Sequence, residues 1–413
     1  MDNWLIIFCL LVILFAEGLM FWVVAKKSGY RSLGSLIFII MFFYANASML
    51  DYLLLGIEYL DTTEEYGFPL NDWLHVKALS LHALFLLAYT FGYRFTFRNW
   101  QSTPRLYFEF RLGPAGWAVA IGVLFLLLYY SYVSLGLDRF SSKSLVAHPV
   151  LFLGYQFSLF VVAVLISECL QHHKVLWLAS VTVMFLFTFA SFEREPIAIF
   201  AFYGFFALQG KKIGIRSILV IAITLFVAFA YKPFYVFVVQ NGDWGGFWIL
   251  LQHRSFSFAG LDPGASMYLL MGYLENGGYE EYRFSYFTNT LDQFFRALGI
   301  SFKLSLGEHA TAYRAMREAG IGFSVIVESM LNFWYMGPIV TGSAIGALTM
   351  SIQYYFSLAR GLLVVYSLLI VLFMRTELAV ILKLNFIPLL LLFFLFYRVK
   401  EHKRLVISSS ISG

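Results

Sequence analysis

A carboxylate and an amide interrupt an apolar stretch near the end of the chain. Within GFSVIVESMLNFWYMG, which covers 322–337, Glu328 and Asn332 are four residues apart and share one face of a helix. A carboxylate in such a stretch is suited to accepting and returning protons. Structural pairing with an arginine is the rival interpretation. We predict Glu328 as a catalytic base and Asn332 as a substrate contact, with an ion pair as the alternative role of the carboxylate.

Two arginines stand where short connections join apolar segments. Arg194 precedes Glu195 and Pro196, and Arg375 follows another apolar run. Pro196 fits the first turn of a helix, and Glu195 is favourable near that helix's positive N-terminal end. Capping does not explain Arg194. Because a charge beside apolar helices usually faces a cavity or a partner, and because the planar guanidinium binds phosphate at two points, both arginines are candidates for binding a phosphate group.

The longest predicted connection, 240–320, is rich in aromatic and basic residues. Connections of more than about 15 residues usually carry function or are disordered, and the aromatic residues argue against disorder. Its cations would meet a polyanionic head group, although contact of any single arginine with solvent or lipid phosphate is an open alternative. The candidates here are His253, Arg254, Arg314 and Arg317 for substrate binding, and His309 as the second candidate for the catalytic base.

The elements that must position these residues are membrane helices. Hydrophobic residues make up 60% of the 413-residue chain and charged residues 13%, and the mean hydropathy is +0.76. These values exclude a soluble globular domain, and the nearly continuous apolar runs exclude a β-barrel. We predict an all-α polytopic protein, with residues 1–413 forming one integral membrane domain of about eleven transmembrane helices. The predicted spans are 4–25, 34–55, 74–93, 115–135, 149–170, 175–192, 195–210, 215–239, 322–356, 361–374 and 377–397.

Basic residues cluster in alternate connections, which the positive-inside rule places in the cytoplasm. The N-terminus is then outside and the C-terminus inside. The segment 240–320 becomes one large external loop, which we expect to contain short helices. The region 322–356 is too long for one ordinary span and contains Gly337-Pro338, so a re-entrant piece followed by a helix is the alternative to a single span.

The charge and the spacing of ligand-type residues exclude other classes of function. The net charge of +5 is small and scattered, which argues against a nucleic-acid partner and fits the basic flanks of a membrane protein in a lipid bilayer. No Asp-x-Asp pair or His/Cys cluster on the predicted outer side has metal-ligand spacing, and the glycine-rich phosphate motifs of soluble enzymes are absent. We therefore predict neither a metal nor a cofactor, with arginines in place of the usual divalent cation.

The layout and several short motifs resemble the Wzy-type repeat-unit polymerases of bacterial O-antigen and capsule synthesis. Members of that family have many spans, a large external loop and an arginine that opens a helix after the sixth span. The corresponding residues here are Arg194 with Glu195-Pro196, His253-Arg254-Ser-Phe-Ser, the pattern Ser-x-x-x-Glu328-x-x-x-Asn332 followed by Gly337, and Arg375 after the penultimate span.

The resemblance implies a glycosyltransferase of the cytoplasmic (inner) membrane that joins undecaprenyl-pyrophosphate-linked oligosaccharides at its outer face. It implies that Arg194, Arg254 and Arg375 stabilise the departing lipid pyrophosphate, and that a chain-length-regulating co-polymerase is a partner. The product would be O-antigen or a capsular or exopolysaccharide. The alternatives are a ligase of finished polysaccharide, a transporter or flippase of lipid-linked sugars, and a non-enzymatic sensor or scaffold.

Overall fold

The computed structural model describes residues 2–30, 32–56, 72–100, 106–135, 149–191, 195–207, 234, 238, 241–254, 264–275, 324–375 and 378–401. Nearly all of these residues are helical. The helices are α1 (Asp2–Ser28), α2 (Leu33–Leu55), α3 (Trp73–Trp100), α4 (Pro114–Leu135), α5 (Pro149–Glu168), α6 (Lys174–Ser191), α7 (Glu195–Ala207), α8 (Trp244–Arg254), α9 (Gly264–Glu275), α10 (Val325–Phe333), α11 (Gly337–Tyr355), α12 (Arg360–Arg375) and α13 (Leu378–Phe396), and the strands are β1 (Leu106–Phe110) and β2 (Tyr397–Glu401).

Five stretches within the described residues are long and apolar enough to cross a membrane, and five shorter apolar helices accompany them. The long ones are Trp4–Lys26, Leu33–Leu54, Trp73–Phe97, Pro114–Ser134 and Val325–Tyr355. The prediction of an all-α, multi-pass membrane protein is confirmed at this level. The count of eleven spans stays a prediction, and the predicted span 215–239 lies almost wholly outside the described residues.

The centre of the bundle is the packing of α3 against α11, the most extensive helix contact in the described structure. The two helices run parallel, because Gly342 lies against the backbone carbonyl of Phe85 and Gly346 against that of Tyr89. From the other side, Gly92 of α3 lies against the backbone of Ser343. Glycines at this spacing let two backbones approach closely, which is how membrane helices associate when lipid gives no hydrophobic driving force.

Replacing one of these glycines should weaken the bundle. A Cβ atom at position 346 would overlap the carbonyl oxygen of Tyr89, and backbone atoms cannot move aside cheaply. We expect Gly346→Ala to lower the free energy of unfolding by about 1–3 kcal/mol, seen as a lower Tm in detergent. The control is Gly122→Ala in α4, where no atom lies within 4 Å of the added Cβ. Equal Tm values for both variants would contradict the close packing of α3 and α11.

The region 322–356 was predicted either as one span or as a re-entrant piece followed by a helix. Its described residues form two helices. The helix α10 ends at Phe333, a 3₁₀ turn covers Trp334–Met336, and α11 begins at Gly337. Trp334 has φ 54°, a left-handed value that L side chains rarely adopt. The chain folds back here, since Gly337 lies against the backbone of Ser329. The described part of this region therefore forms two helices, and a re-entrant course of the first one stays a prediction.

One end of the bundle can be identified from two hydrogen-bond networks, the first of which centres on Gln353. Its Oε1 accepts hydrogen bonds from the Gly34 amide and from the Tyr93 hydroxyl, both at 3.0 Å. Tyr89 adds a bond of 2.9 Å from its hydroxyl to the Gly34 carbonyl. The start of α2 and the C-terminal parts of α3 and α11 therefore lie together.

The second network centres on Glu168, the last residue of α5. Its Oε1 accepts a hydrogen bond from the Gly361 amide at 2.7 Å and one from the Tyr397 hydroxyl at 3.3 Å. Thus α5 ends where α12 begins and where α13 passes into β2. This end, which we call the basic end, has six basic residues whose side chains the structure describes: Lys26, Arg94, Arg111, Lys174, Arg360 and Arg398. The far end is the one at which α11 begins and α12 finishes.

Two features differ from a simple bundle with an outer loop. The strands β1 and β2, which the sequence analysis does not predict, form an antiparallel pair at the basic end with Phe108 opposite Val399. The segment 240–320 contains the short helices α8 and α9, and α9 packs against α2, α3 and α10 with Met267 and Leu270 buried.

Candidate functional site

A cavity of about 700 Å³ lies between α10, α11, α12 and α13. Its walls are mainly Val, Leu, Ile and Phe side chains. On α11 they recur at helical spacing from Val340 to Ile352, and on α12 they extend as far as Phe373. Most of the space is therefore suited to hydrocarbon.

Polar groups come from α10 and from the start of α11. The lining includes Glu328, Ser329 and Asn332 of α10 and Thr341 of α11. Because Gly337 lies against Ser329, these groups are at the far end of the bundle. Tyr366 of α12 also lines the cavity, deeper in, where its hydroxyl forms a 2.9 Å hydrogen bond with the Thr349 hydroxyl. The cavity is thus almost wholly apolar, and most of the few polar residues in its lining lie at the far end.

The local sequence explains how Glu328 is positioned. The helix α10 follows Ser324, whose backbone is extended and whose carbonyl accepts a hydrogen bond from the Glu328 amide at 3.0 Å. Glu328 therefore lies in the first turn of α10, where the helix dipole favours a negative charge. Every residue from Val325 to Asn332 is buried, as expected of a helix that is enclosed by protein on all sides.

Glu328 and Asn332 face the same cavity, as their four-residue spacing predicts. Glu328 is 3% exposed and Asn332 is 7% exposed. The Oδ1 atom of Asn332 is buried and accepts no hydrogen bond from any group in the described part of the chain. Since a buried polar atom normally has a partner, Asn332 is a candidate for contact with a ligand.

The predicted arginines are only partly placed by the structure. Arg375 is the last residue of α12, two positions beyond the cavity residue Phe373, and its side chain is not described. The helix α7 starts at Glu195 and packs against α12, but Arg194 before it is outside the described residues. The side chains of His253 and Arg254 at the end of α8 are not described, and His309, Arg314 and Arg317 lie wholly outside the described residues.

Two carboxylates outside the cavity, Glu17 and Glu168, bond to groups of other elements. The Asn46 amide of α2 donates to Glu17 Oε2 of α1 at 2.6 Å, and Glu168 bonds to Gly361 and Tyr397. Burial raises the pKa of the Tyr397 phenol well above its ordinary value, and the neighbouring Glu168 adds to this shift, so the phenol remains a donor. Neither carboxylate lines the cavity.

Several residues of the site were not found from the sequence. Thr341 and Tyr366 are single polar residues in apolar helices, a pattern that is too common to single out a site. The pattern Gly342-x-x-x-Gly346 was a usable signal, because it predicts which face of α11 packs on another helix. The cavity residues Thr341, Ala344 and Leu348 lie on a different face.

The described ranges contain no group of three or more His, Cys, Asp or Glu residues placed to hold a metal ion. The prediction of metal-independent chemistry remains a prediction. Comparison with protein-family models, with curated proteins and with solved structures gave no match to this chain.

Proposed function

We propose that this protein is a membrane-embedded glycosyltransferase that polymerises undecaprenyl-pyrophosphate-linked oligosaccharide repeat units into O-antigen or a capsular or exopolysaccharide. The observation that supports this function best is the cavity, a long apolar space that has Glu328 and Asn332 in its lining at one end. A substrate with a sugar head and a lipid tail has the same division of polarity.

The orientation follows from the charges of the described residues. The basic end faces the cytoplasm by the positive-inside rule, so the polar end of the cavity opens towards the outer face of the cytoplasmic membrane. Lipid-linked repeat units at that face would reach Glu328 without crossing the bilayer. The segment 240–320 would cover the same face, and a chain-length-regulating co-polymerase would act there as a partner.

The reaction transfers the growing glycan from its undecaprenyl pyrophosphate to a hydroxyl of the incoming lipid-linked unit. Glu328 accepts the proton of that hydroxyl while the new C–O bond forms, with His309 as the second candidate for this step. The bond between the donor sugar and the pyrophosphate breaks, and the lipid pyrophosphate leaves with the bonding electrons. Arg194, Arg254 and Arg375 stabilise its negative charge, and Asn332, His253, Arg314 and Arg317 bind the substrate.

Repeat-unit ladders provide the direct test. Deletion of the gene in its host should remove the ladder and leave single repeat units on the acceptor, and the wild-type chain should restore it. Accumulation of full-length polymer on its lipid carrier after deletion would indicate the ligase instead. An unchanged ladder would contradict both functions.

A transporter of lipid-linked sugars is the second candidate, and the break between α10 and α11 favours it. Secondary transporters bind substrates at discontinuous helices, and Glu328 lies in a short helix that ends at a break beside Trp334. The purified protein in detergent micelles separates the two functions, because no compartments remain there. A polymerase still lengthens lipid-linked units in micelles, whereas a transporter makes no product.

A further inference from the structure

Three aromatic rings close the cavity at the basic end. Phe356, directly after α11, and Phe393 of α13 line the cavity. The Phe108 ring of β1 stacks on Phe356, with centroids 4.5 Å apart and planes at 18°, and meets Phe393 edge-on at 4.8 Å. Pairing with β2 holds β1 in this position. We call Phe108, Phe356 and Phe393 the aromatic floor.

One side of the cavity is open to lipid. Val340 and Leu348 of α11 and Leu390 of α13 all line the cavity, yet they are 41%, 50% and 42% exposed. In a bundle that spans a membrane, such exposed apolar surface meets the hydrocarbon of the bilayer. An apolar chain can therefore enter sideways between α11 and α13 without passing through water.

The dimensions fit one chain. Between Thr341 and Tyr355 the helix α11 rises about 20 Å, at about 1.5 Å per residue. A volume of about 700 Å³ spread over this length has room for one extended hydrocarbon chain. The polar groups at one end and the aromatic floor at the other give the chain a direction.

We propose that the cavity binds the first part of the isoprenoid chain of the lipid carrier, which enters from the bilayer between α11 and α13, and that the aromatic floor limits how much of the chain it accepts. The head group then lies at the far end, next to Glu328 and Asn332, and the remainder of the chain stays in the bilayer. This inference rests on the proposed function, since that function supplies the single-chain carrier.

The position of the chain is a better readout than its affinity. Bilayer hydrocarbon is as apolar as the cavity walls, so the hydrophobic effect contributes little and packing decides where the chain lies. We therefore choose photolabelling. The probe is geranylgeranyl monophosphate with a diazirine at the terminal end of the chain, added to the full-length protein in vesicles of phosphatidylethanolamine and phosphatidylglycerol, with labelled residues mapped by mass spectrometry.

We expect this probe to label Leu389 and the two cavity residues of the aromatic floor, Phe356 and Phe393. Ala344→Trp fills the cavity and should lower that labelling by about tenfold or more. Leu389→Trp should do the same from α13, so the test does not depend on the folding of one variant. The control is Leu391→Trp, because Leu391 is 47% exposed and does not line the cavity.

The aromatic floor is tested with a longer probe. Solanesyl monophosphate carrying the same terminal diazirine should not label the lower cavity of the wild type, because its end lies beyond the part that the cavity accepts. In Phe108→Ala the end of the longer chain should reach β1 and β2. The control is Phe110→Ala on the same strand, since Phe110 stacks on Phe396 and does not line the cavity.

The outcomes separate this inference from the proposed function. Labelling confined to lipid-facing residues such as Leu391 would overturn the proposal that the cavity binds the chain. Labelling of the lower cavity that neither tryptophan variant lowers would overturn it as well. The phospholipid of the vesicles is present throughout, so labelling of the lower cavity that excess undecaprenyl monophosphate does not reduce would overturn the isoprenoid as the occupant. Identical solanesyl labelling of Phe108→Ala and wild type would overturn the role of the floor. If the lower cavity is labelled while the purified wild type makes no polymer, the chain site stands and the proposed function fails.

Discussion

Arg375→Ala and Arg194→Ala should each lower the rate of polymerisation by about 10²–10³-fold. The physical reason is that lipid pyrophosphate leaves with negative charge, and a preorganised guanidinium stabilises that charge most strongly as the bond breaks. The measurement is the initial rate at which the purified protein lengthens lipid-linked repeat units. In cells, the same variants should leave single repeat units on the acceptor while the protein remains in the membrane.

The control for this prediction is Arg360→Ala. Arg360 begins the same helix that Arg375 ends, but it lies at the basic end and is exposed. Its loss should leave the rate within about twofold of wild type, as is usual for exposed surface substitutions. Lysine at position 375 should restore only part of the rate, because an ammonium group has the charge but not the two-pronged hydrogen bonding of arginine. Polymer of normal length from both alanine variants would rule out the assignment of these arginines.

The membrane class and the shared face of Glu328 and Asn332 could be predicted from the sequence because both depend on local spacing. A backbone in lipid must form its hydrogen bonds within each segment, so long apolar runs indicate helices. A separation of four residues places two side chains on one face of a helix regardless of what surrounds the helix. Glu328 and Asn332 line the same cavity, as this spacing predicts.

The tertiary features could not be predicted in the same way. The pairing joins β1 (Leu106–Phe110) to β2 (Tyr397–Glu401), which are far apart in the sequence. The β1 sequence LYFEF does not alternate, and the alternation in YRVKE of β2 lasts only five residues after a long apolar helix. The aromatic floor depends on that pairing, because Phe108 reaches Phe356 only when β1 packs beside β2. Small-residue spacing indicated that α11 has a close partner, but periodicity does not say that the partner is α3.

Glu328→Gln should lower the rate of polymerisation by about 10²–10⁴-fold, the range for loss of a general base. Glutamine keeps the size of glutamate and its hydrogen-bonding reach but does not take up the proton of the attacking hydroxyl. Glu328 lines the cavity, and the helix α10 around it is buried. Because glutamine has the same size as glutamate, this substitution should disturb the packing little. The initial rate should therefore fall while Tm and photolabelling of the cavity by the geranylgeranyl probe stay as in wild type.

The matched control is Glu17→Gln. Glu17 is also a buried carboxylate within an apolar helix, but it bonds to Asn46 and does not line the cavity. If burial of any membrane carboxylate were enough to affect the rate, both variants would lose activity together. If Glu328→Gln loses activity and Glu17→Gln does not, Glu328 is identified as the proton acceptor. A fully active Glu328→Gln would transfer the role to His309, and His309→Ala should then lower the rate by about 10²–10⁴-fold.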